Sequence, residues 1–168
     1  MAEIILPDSF DEFVKDEIKT NQAGVDDKQQ SLDDLYRKER LKWSDDIKAM
    51  TIRLKNVMEI QLLMVDVYSE RQRAVEYYHY LISLLIGVNK SYRRKYAERF
   101  KHYTDSIQIR VNKDQINNLI NNDVESLALH REKLENHAKF MNNTVSTIDN
   151  IIYGIKYRIE IEQISRGK

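Results

Sequence analysis

Apolar residues recur at helical spacing along most of this chain, and short polar breaks divide the pattern into segments. Asp8 or Ser9 can cap a short predicted helix that ends near Thr20. Polar residues over 21–30 then predict a loop, and Ser31 is the expected start of a second, longer helix. One proline and four glycines in 168 residues leave few further interruptions. The pattern therefore predicts a mainly α-helical fold.

The second helix carries apolar residues at alternating steps of three and four, which is the heptad spacing of a coiled coil. The positions are Trp43, Ile47, Met50, Leu54, Val57, Gln61, Met64 and Tyr68, with Gln61 as the polar member. The same register resumes at Val75, Tyr78, Ile82 and Leu85. Gly87, Asn89 and Ser91 offer a turn and a new helix cap, so a break is predicted over 87–91.

The region after this break begins with a short, basic, tyrosine-rich helix over 91–103. Alternating polar and apolar residues over 107–111 are the only strand signal, and the asparagine-rich stretch 112–123 predicts turns. A last helix is predicted from Asp123, with Arg131 as the polar exception on its apolar side. Its predicted core or oligomer residues are Leu127, Leu134, Ala138, Met141, Val145, Ile148, Ile152, Ile155 and Ile159.

These segments predict an acidic N-terminal arm with a short helix, 1–30, followed by a helical domain, 31–168. The expected fold is mainly α, with long helices that carry heptad seams and at most one short strand near 107–111. Long helices bury much of their apolar surface against partner chains, so we expect assembly into a homo-oligomer.

The composition narrows the cellular setting. With no cysteine in the sequence, disulfides and thiolate metal sites are excluded and a reducing cytoplasm is favoured. The N-terminus lacks a basic leader before an apolar run, and the most apolar stretch, 81–88, is too short to span a bilayer. We therefore predict a soluble, cytoplasmic protein without membrane association.

The formal net charge is zero, but the charges are unevenly placed. Residues 1–34 contain ten acidic residues and three lysines, which gives −7 and leaves +7 for the remainder. Phosphates respond to the local basic surface within a Debye length rather than to the total charge. A neutral chain can therefore still bind nucleic acid.

The sequence contains no residue group with the composition and spacing that catalysis usually requires. The glycines lie far apart and form no phosphate-binding loop. His130 and His137 are two helical turns apart, about 10 Å along a helix, which is too far for one metal ion. The paired acids Asp45 and Asp46 lie in a polar stretch and are interpreted as solvated charges. We expect neither an enzyme nor a metal or cofactor site.

The segment 90–101 carries a charge of about +5. Arginine and lysine neutralise phosphates, and aromatic rings stack on unpaired bases without sequence preference. Aromatic residues interleave with these charges at Tyr92, Tyr96, Phe100 and Tyr103. For the tyrosines, packing in the core is the favoured interpretation; for the charges, a phosphate surface and an ordinary solvated face remain equally open.

The C-terminal two-fifths of the chain resembles the UvsY recombination-mediator family of tailed bacteriophages, over roughly 91–160. The resemblance begins at FKHYT, where a basic helix ends in His102 and Tyr103. It continues through IQIRVNKDQINNLINNDVESL and closes in STIDNIIYGIKYRIE, where a glycine, an apolar residue and a basic residue stand at Gly154, Ile155 and Arg158.

The resemblance implies an ATP-independent mediator that forms a ring-shaped homo-oligomer and binds single-stranded DNA. Such a mediator helps a RecA-like recombinase replace the single-strand-binding protein, in the host-cell cytoplasm if a phage encodes it. Arg99 is the best match to a DNA-contacting position. The full set of expected DNA-binding residues is Lys90, Arg93, Arg94, Lys95, Arg99, Lys101 and Tyr103. The alternative is a coiled-coil assembly, scaffold or chaperone protein of a virion that binds no DNA.

Overall fold

A computed structural model describes residues 25–106 and 112–167 of the chain. Three long helices make up nearly all of these residues: α1 (Val25–Arg53), α2 (Ile60–Ser106) and α3 (Lys113–Arg166). A short 3-10 helix, Val57–Glu59, lies between α1 and α2. The described residues contain no β-strand, and the prediction of a mainly helical chain is confirmed. The predicted N-terminal helix and the predicted strand at 107–111 lie outside the described residues.

The helices run up, down and up. Contacts between α2 and α3 pair Arg71 with Asp149 and Arg99 with Asp123, so these two helices are antiparallel. The contacts of α1 with α3 run from the Asp33–Lys133 ion pair to the hydrogen bonds that Arg158 donates to the carbonyls after α1. We call the end at residues 54–59 the turn end, and the end formed by 90–105 and 113–125 the hairpin end.

Arg158 closes the turn end. Its guanidinium donates to the carbonyl oxygen of Leu54 at 2.6 Å and to that of Lys55 at 3.1 Å. Carbonyls at a helix C-terminus have no partner within the helix, so a fixed cation satisfies both their hydrogen bonding and the helix dipole. Arg158, which belongs to the terminal pattern of the family resemblance, therefore has a structural role in this chain.

Most buried side chains of α2 lie seven residues apart. Ile60, Val67, Ala74, Leu81 and Val88 form this row, and Leu63 beside it is also fully buried. The predicted register, through Val75 and Ile82, is displaced by one position, and those side chains are only half-buried. Apolar residues stand side by side at 74–75 and at 81–82, so the pattern supports two registers equally and only the packing against α3 distinguishes them.

The core of α3 follows the apolar positions of the sequence closely. Leu134, Met141, Ile148 and Ile155 are fully buried, Ile152 is nearly so, and Val145 and Ile159 are half-buried. A parallel row of buried residues, His130, His137, Thr144 and Ile151, faces the same interior. α3 therefore packs mainly against α2, and it contacts α1 from Lys133 to Arg158.

The predicted continuous helix through Leu54 and Gln61 is wrong, because α1 ends at Arg53. Asn56 redirects the chain: its side-chain oxygen accepts from the backbone N–H of Met58 at 3.2 Å, and its amide donates to Glu59 at 2.8 Å. Asparagine side chains commonly stabilise turns in this way. The heptad spacing crosses the turn because helices on either side of it both supply apolar residues to one core.

The predicted break at 87–91 is also wrong, since α2 continues to Ser106. Glycine and asparagine cost a helix only about 1 kcal/mol each, and burial of Val88 offsets that cost. The predicted turns over 112–123 are likewise helical, with Ile120 fully buried. α1 begins at Val25, inside the segment predicted as a loop.

Candidate nucleic-acid interface

Four cations of the predicted DNA-binding set are exposed at the hairpin end of α2: Lys90, Arg93, Arg94 and Lys101. Because 90, 94 and 101 recur at helical spacing, their side chains share one face, and Arg93 lies beside it. Among the described residues, only Arg94 of the four has an ion-pair partner, Glu98 at 2.8 Å. Both of those side chains are more than half exposed, so the pair is weak. We call these four residues the cation face.

Two other predicted residues are turned toward α3. Arg99 forms an ion pair with Asp123 at 3.3 Å, and the Tyr103 hydroxyl donates to the same carboxylate at 2.8 Å. That hydrogen bond raises the pKa of Tyr103. Arg99, the position best matched to the UvsY pattern, is thus already engaged within the chain. Lys95 is half-buried on the same side.

The neighbouring tyrosines also pack against α3. The guanidinium of Arg131 lies 4.8 Å from the ring centre of Tyr92, and the Tyr96 hydroxyl donates to Asn117 at 3.3 Å. These contacts occupy ring faces and hydroxyls that would otherwise meet a base. Phe100 is the exception, since its side chain remains 43% exposed. Among the described phenylalanine and tyrosine side chains of this segment, Phe100 is therefore the one with a ring most open to stacking on a base.

His130 and His137 are both buried, and His137 is fully enclosed between the three helices. Its ring stacks on Tyr36 at 4.4 Å, accepts at Nδ1 from Arg40 Nε at 3.4 Å, and lies 3.2 Å from the Tyr77 hydroxyl at Nε2. Because arginine can only donate, Nε2 carries the proton of the neutral ring. Burial lowers the pKa of His137 to about 4, with the Arg40 charge as the second cause.

This histidine was singled out in the sequence only as a poor metal ligand. Within the described residues, no group of three or more histidine, cysteine or acidic side chains is arranged to hold a metal ion. The environment of His137 arises from aromatic residues on three helices that lie far apart in the sequence, such as Tyr36 and Tyr77. The position of His137 in the sequence of α3 does not indicate that these aromatic residues contact it.

The turn end exposes apolar rather than charged side chains. Met58 is 94% exposed. Further apolar residues toward this end of the bundle are about half exposed or more: Leu62 and Val65 on α2, and Tyr153, Tyr157, Ile161 and Ile164 on α3. Tyr153, Tyr157, Ile161 and Ile164 recur at helical spacing and form one stripe on the outer face of α3. An exposed apolar stripe of this kind usually marks a contact with another macromolecule.

Among the described helices, none is long and apolar enough to cross a membrane. Comparison of the chain with protein-family models, with curated proteins and with solved structures found no match to any of them.

Proposed function

We propose that this chain binds single-stranded DNA through the cation face and acts as a recombination mediator, loading a RecA-like recombinase in place of single-strand-binding protein. The observation that carries the proposal is the grouping of four exposed cations with the exposed ring of Phe100 at the hairpin end. Resemblance of the segment 91–160 to UvsY-type mediators adds the biological setting.

The physical support is the match between this surface and a flexible phosphate chain. From 90 to 101 the helix rises about 16 Å, so several successive phosphates can follow it. Each cation that neutralises a phosphate releases a counterion, which contributes favourably at low salt. Phe100 adds stacking on an unpaired base, worth about 1–3 kcal/mol, which duplex DNA cannot offer without unstacking.

Mediation without a motor requires that binding favour one DNA conformation. A protein that holds single-stranded DNA in a form preferred by the recombinase shifts the population toward the filament, limited by its differential affinity. Four cations per chain give weak binding, so we propose that a homo-oligomer, ring-shaped as the resemblance implies, presents several cation faces to one strand. The effective concentration of the remaining faces then supplies the affinity.

The test is fluorescence anisotropy of a labelled oligothymidylate, measured from roughly 50 to 200 mM salt. The triple variant Arg93→Gln, Arg94→Gln, Lys101→Gln should lose most of the affinity and flatten the salt dependence by about three phosphate contacts. The matched control is Lys38→Gln, Lys42→Gln, Lys55→Gln, which removes three exposed cations elsewhere and should retain binding.

Arg99→Gln separates direct contact from a structural role. Because Arg99 is paired with Asp123, its loss should lower thermal stability and weaken DNA binding less than the triple variant does. No binding by the wild type at 50 mM salt would exclude the proposed function. A recombinase-loading assay with strand coated by single-strand-binding protein then tests mediation itself.

The alternative is a virion assembly or scaffold protein, and the apolar turn end favours it. In that case the cation face is solvated surface, and neither variant set changes any association of the chain. Binding of a partner protein through the apolar stripe, with no oligothymidylate binding at low salt, is the result that the scaffold function predicts.

A further inference from the structure

A concave site lies between α1 and α3, away from the cation face. It is a shallow cleft of about 390 Å³ lined by Asp33, Tyr36, Arg37, Arg40, Leu41, Lys133 and Asn136. Three of these side chains are cationic and one is acidic, which leaves a net charge of +2 in a small volume. A concave, positively charged surface concentrates its field and attracts anions more strongly than a flat one.

Arg40 is fixed before any ligand arrives. Its Nε donates to the buried Nδ1 of His137, and its guanidinium lies 5.7 Å from the ring centre of Phe140. The terminal Nη groups make no hydrogen bond or ion pair with the described residues, and Arg40 lines the cleft. A guanidinium held in this way offers planar N–H donors with little entropy left to lose, which suits the oxygens of a phosphate.

Lys133 and Arg37 stand on opposite sides of the same cleft. Lys133 is only 18% exposed and is held toward α1 by Asp33 at 2.7 Å, whereas Asp33 itself is 55% exposed. Arg37 is one helical turn from Asp33 and is exposed. The amide of Asn136, one turn from Lys133, adds a neutral donor. A phosphate entering the cleft would meet donors from both helices.

We infer that this cleft is a phosphate-binding site, independent of the cation face, for the phosphate groups of a small molecule or of a nucleic-acid backbone. Both sources share the same oxyanion chemistry. The donors to the phosphate oxygens are Arg37, Arg40, Lys133 and Asn136. Because all of its lining residues belong to α1 and α3 and none to the cation face of α2, the site does not depend on the DNA-binding proposal.

The experiment is isothermal titration calorimetry with pyrophosphate at constant ionic strength, supported by amide NMR shifts of Asn136. The wild type should bind, and Arg37→Gln should weaken binding about tenfold or more, as expected for loss of one charge-assisted hydrogen bond. Asn136→Asp, which places a carboxylate in the cleft, should weaken it further. Both positions are exposed, so the fold is retained, and unchanged thermal unfolding verifies this.

Lys38→Gln is the matched control, because Lys38 neighbours Arg37 but does not line the cleft. Competition by oligothymidylate with pyrophosphate in Lys38→Gln would assign the site to a nucleic-acid backbone; pyrophosphate binding without such competition would assign it to a small phosphate. Either result supports the site. If the wild type does not bind pyrophosphate at 10 mM, on the order of ten times a ~1 mM dissociation constant, the proposed phosphate site is wrong. Equal binding by the wild type and Arg37→Gln would also overturn the proposal.

Discussion

At the scale of single residues, His137 is the group whose chemistry the fold changes most. The neutral ring stacks between Tyr36 and Phe140 and accepts from Arg40, so a proton on Nδ1 would place two cations in contact. The folded chain therefore holds the pKa near 4, whereas the unfolded chain has the ordinary value of 6.5. Between these two values the unfolded state binds more protons than the folded state.

This difference predicts acid sensitivity. The stability that His137 contributes is present above pH 6.5 and is lost as pH falls toward 4. Its contribution to the free energy of unfolding in urea should therefore be roughly 2 kcal/mol smaller at pH 5 than at pH 7. In His137→Phe, which keeps an aromatic ring but cannot titrate, this part of the pH dependence should disappear. His79→Phe makes the same change at an exposed position and is the matched control. Identical profiles for wild type and His137→Phe would contradict the assignment.

At the scale of helices, Gly87 tests whether α2 is continuous. It is exposed within the helix, and a Cβ built there meets nothing within 4 Å. Alanine should therefore stabilise the chain by about 1 kcal/mol, because glycine is the poorer helix former. Gly154→Ala is the comparison within α3: its Cβ would lie 3.4 Å from the Leu54 side chain, so this variant adds a packing contact as well as helix propensity. A lower urea midpoint for Gly87→Ala would mean that the predicted break at 87–91 exists.

The sequence pattern predicted the helical character of the chain, but it did not show which side chains of different helices contact each other. The buried row of α3 could be predicted because its buried positions, such as Met141 and Ile148, are flanked mainly by polar residues. Paired apolar residues hid the register of α2, and the turn at Asn56 had no proline or glycine to mark it. Arg99 and Asp123 are distant in sequence, so spacing alone could not show that this candidate contact is used internally.

At the scale of the whole molecule, the two ends of the bundle differ in chemistry. Cations are exposed at the hairpin end, and apolar side chains are exposed at the turn end. Tyr153, Tyr157, Ile161 and Ile164 form one exposed apolar row on α3, which is the kind of surface through which chains associate. We therefore propose that the turn end joins copies of this chain and leaves the cation faces pointing outward.

Substitutions on the outer stripe of α3 test this arrangement. Tyr157→Glu with Ile164→Glu places charges on side chains that are about two-thirds exposed, so the fold should persist while the oligomer dissociates. Sedimentation velocity should show a smaller species, and affinity for a long oligothymidylate should fall by a factor of about 100 or more as avidity is lost. Affinity for a strand that spans one cation face should change little.

Leu41→Glu provides the matched control, since Leu41 is 56% exposed but lies on α1 away from the turn end. It should sediment as the wild type does. If the wild type is monomeric at about 100 µM, its dissociation constant is too weak for a standard interface. That result would exclude self-association through this surface. The exposed apolar stripe would then be available to a different protein, and the DNA affinity of one chain would have to come from the cation face alone.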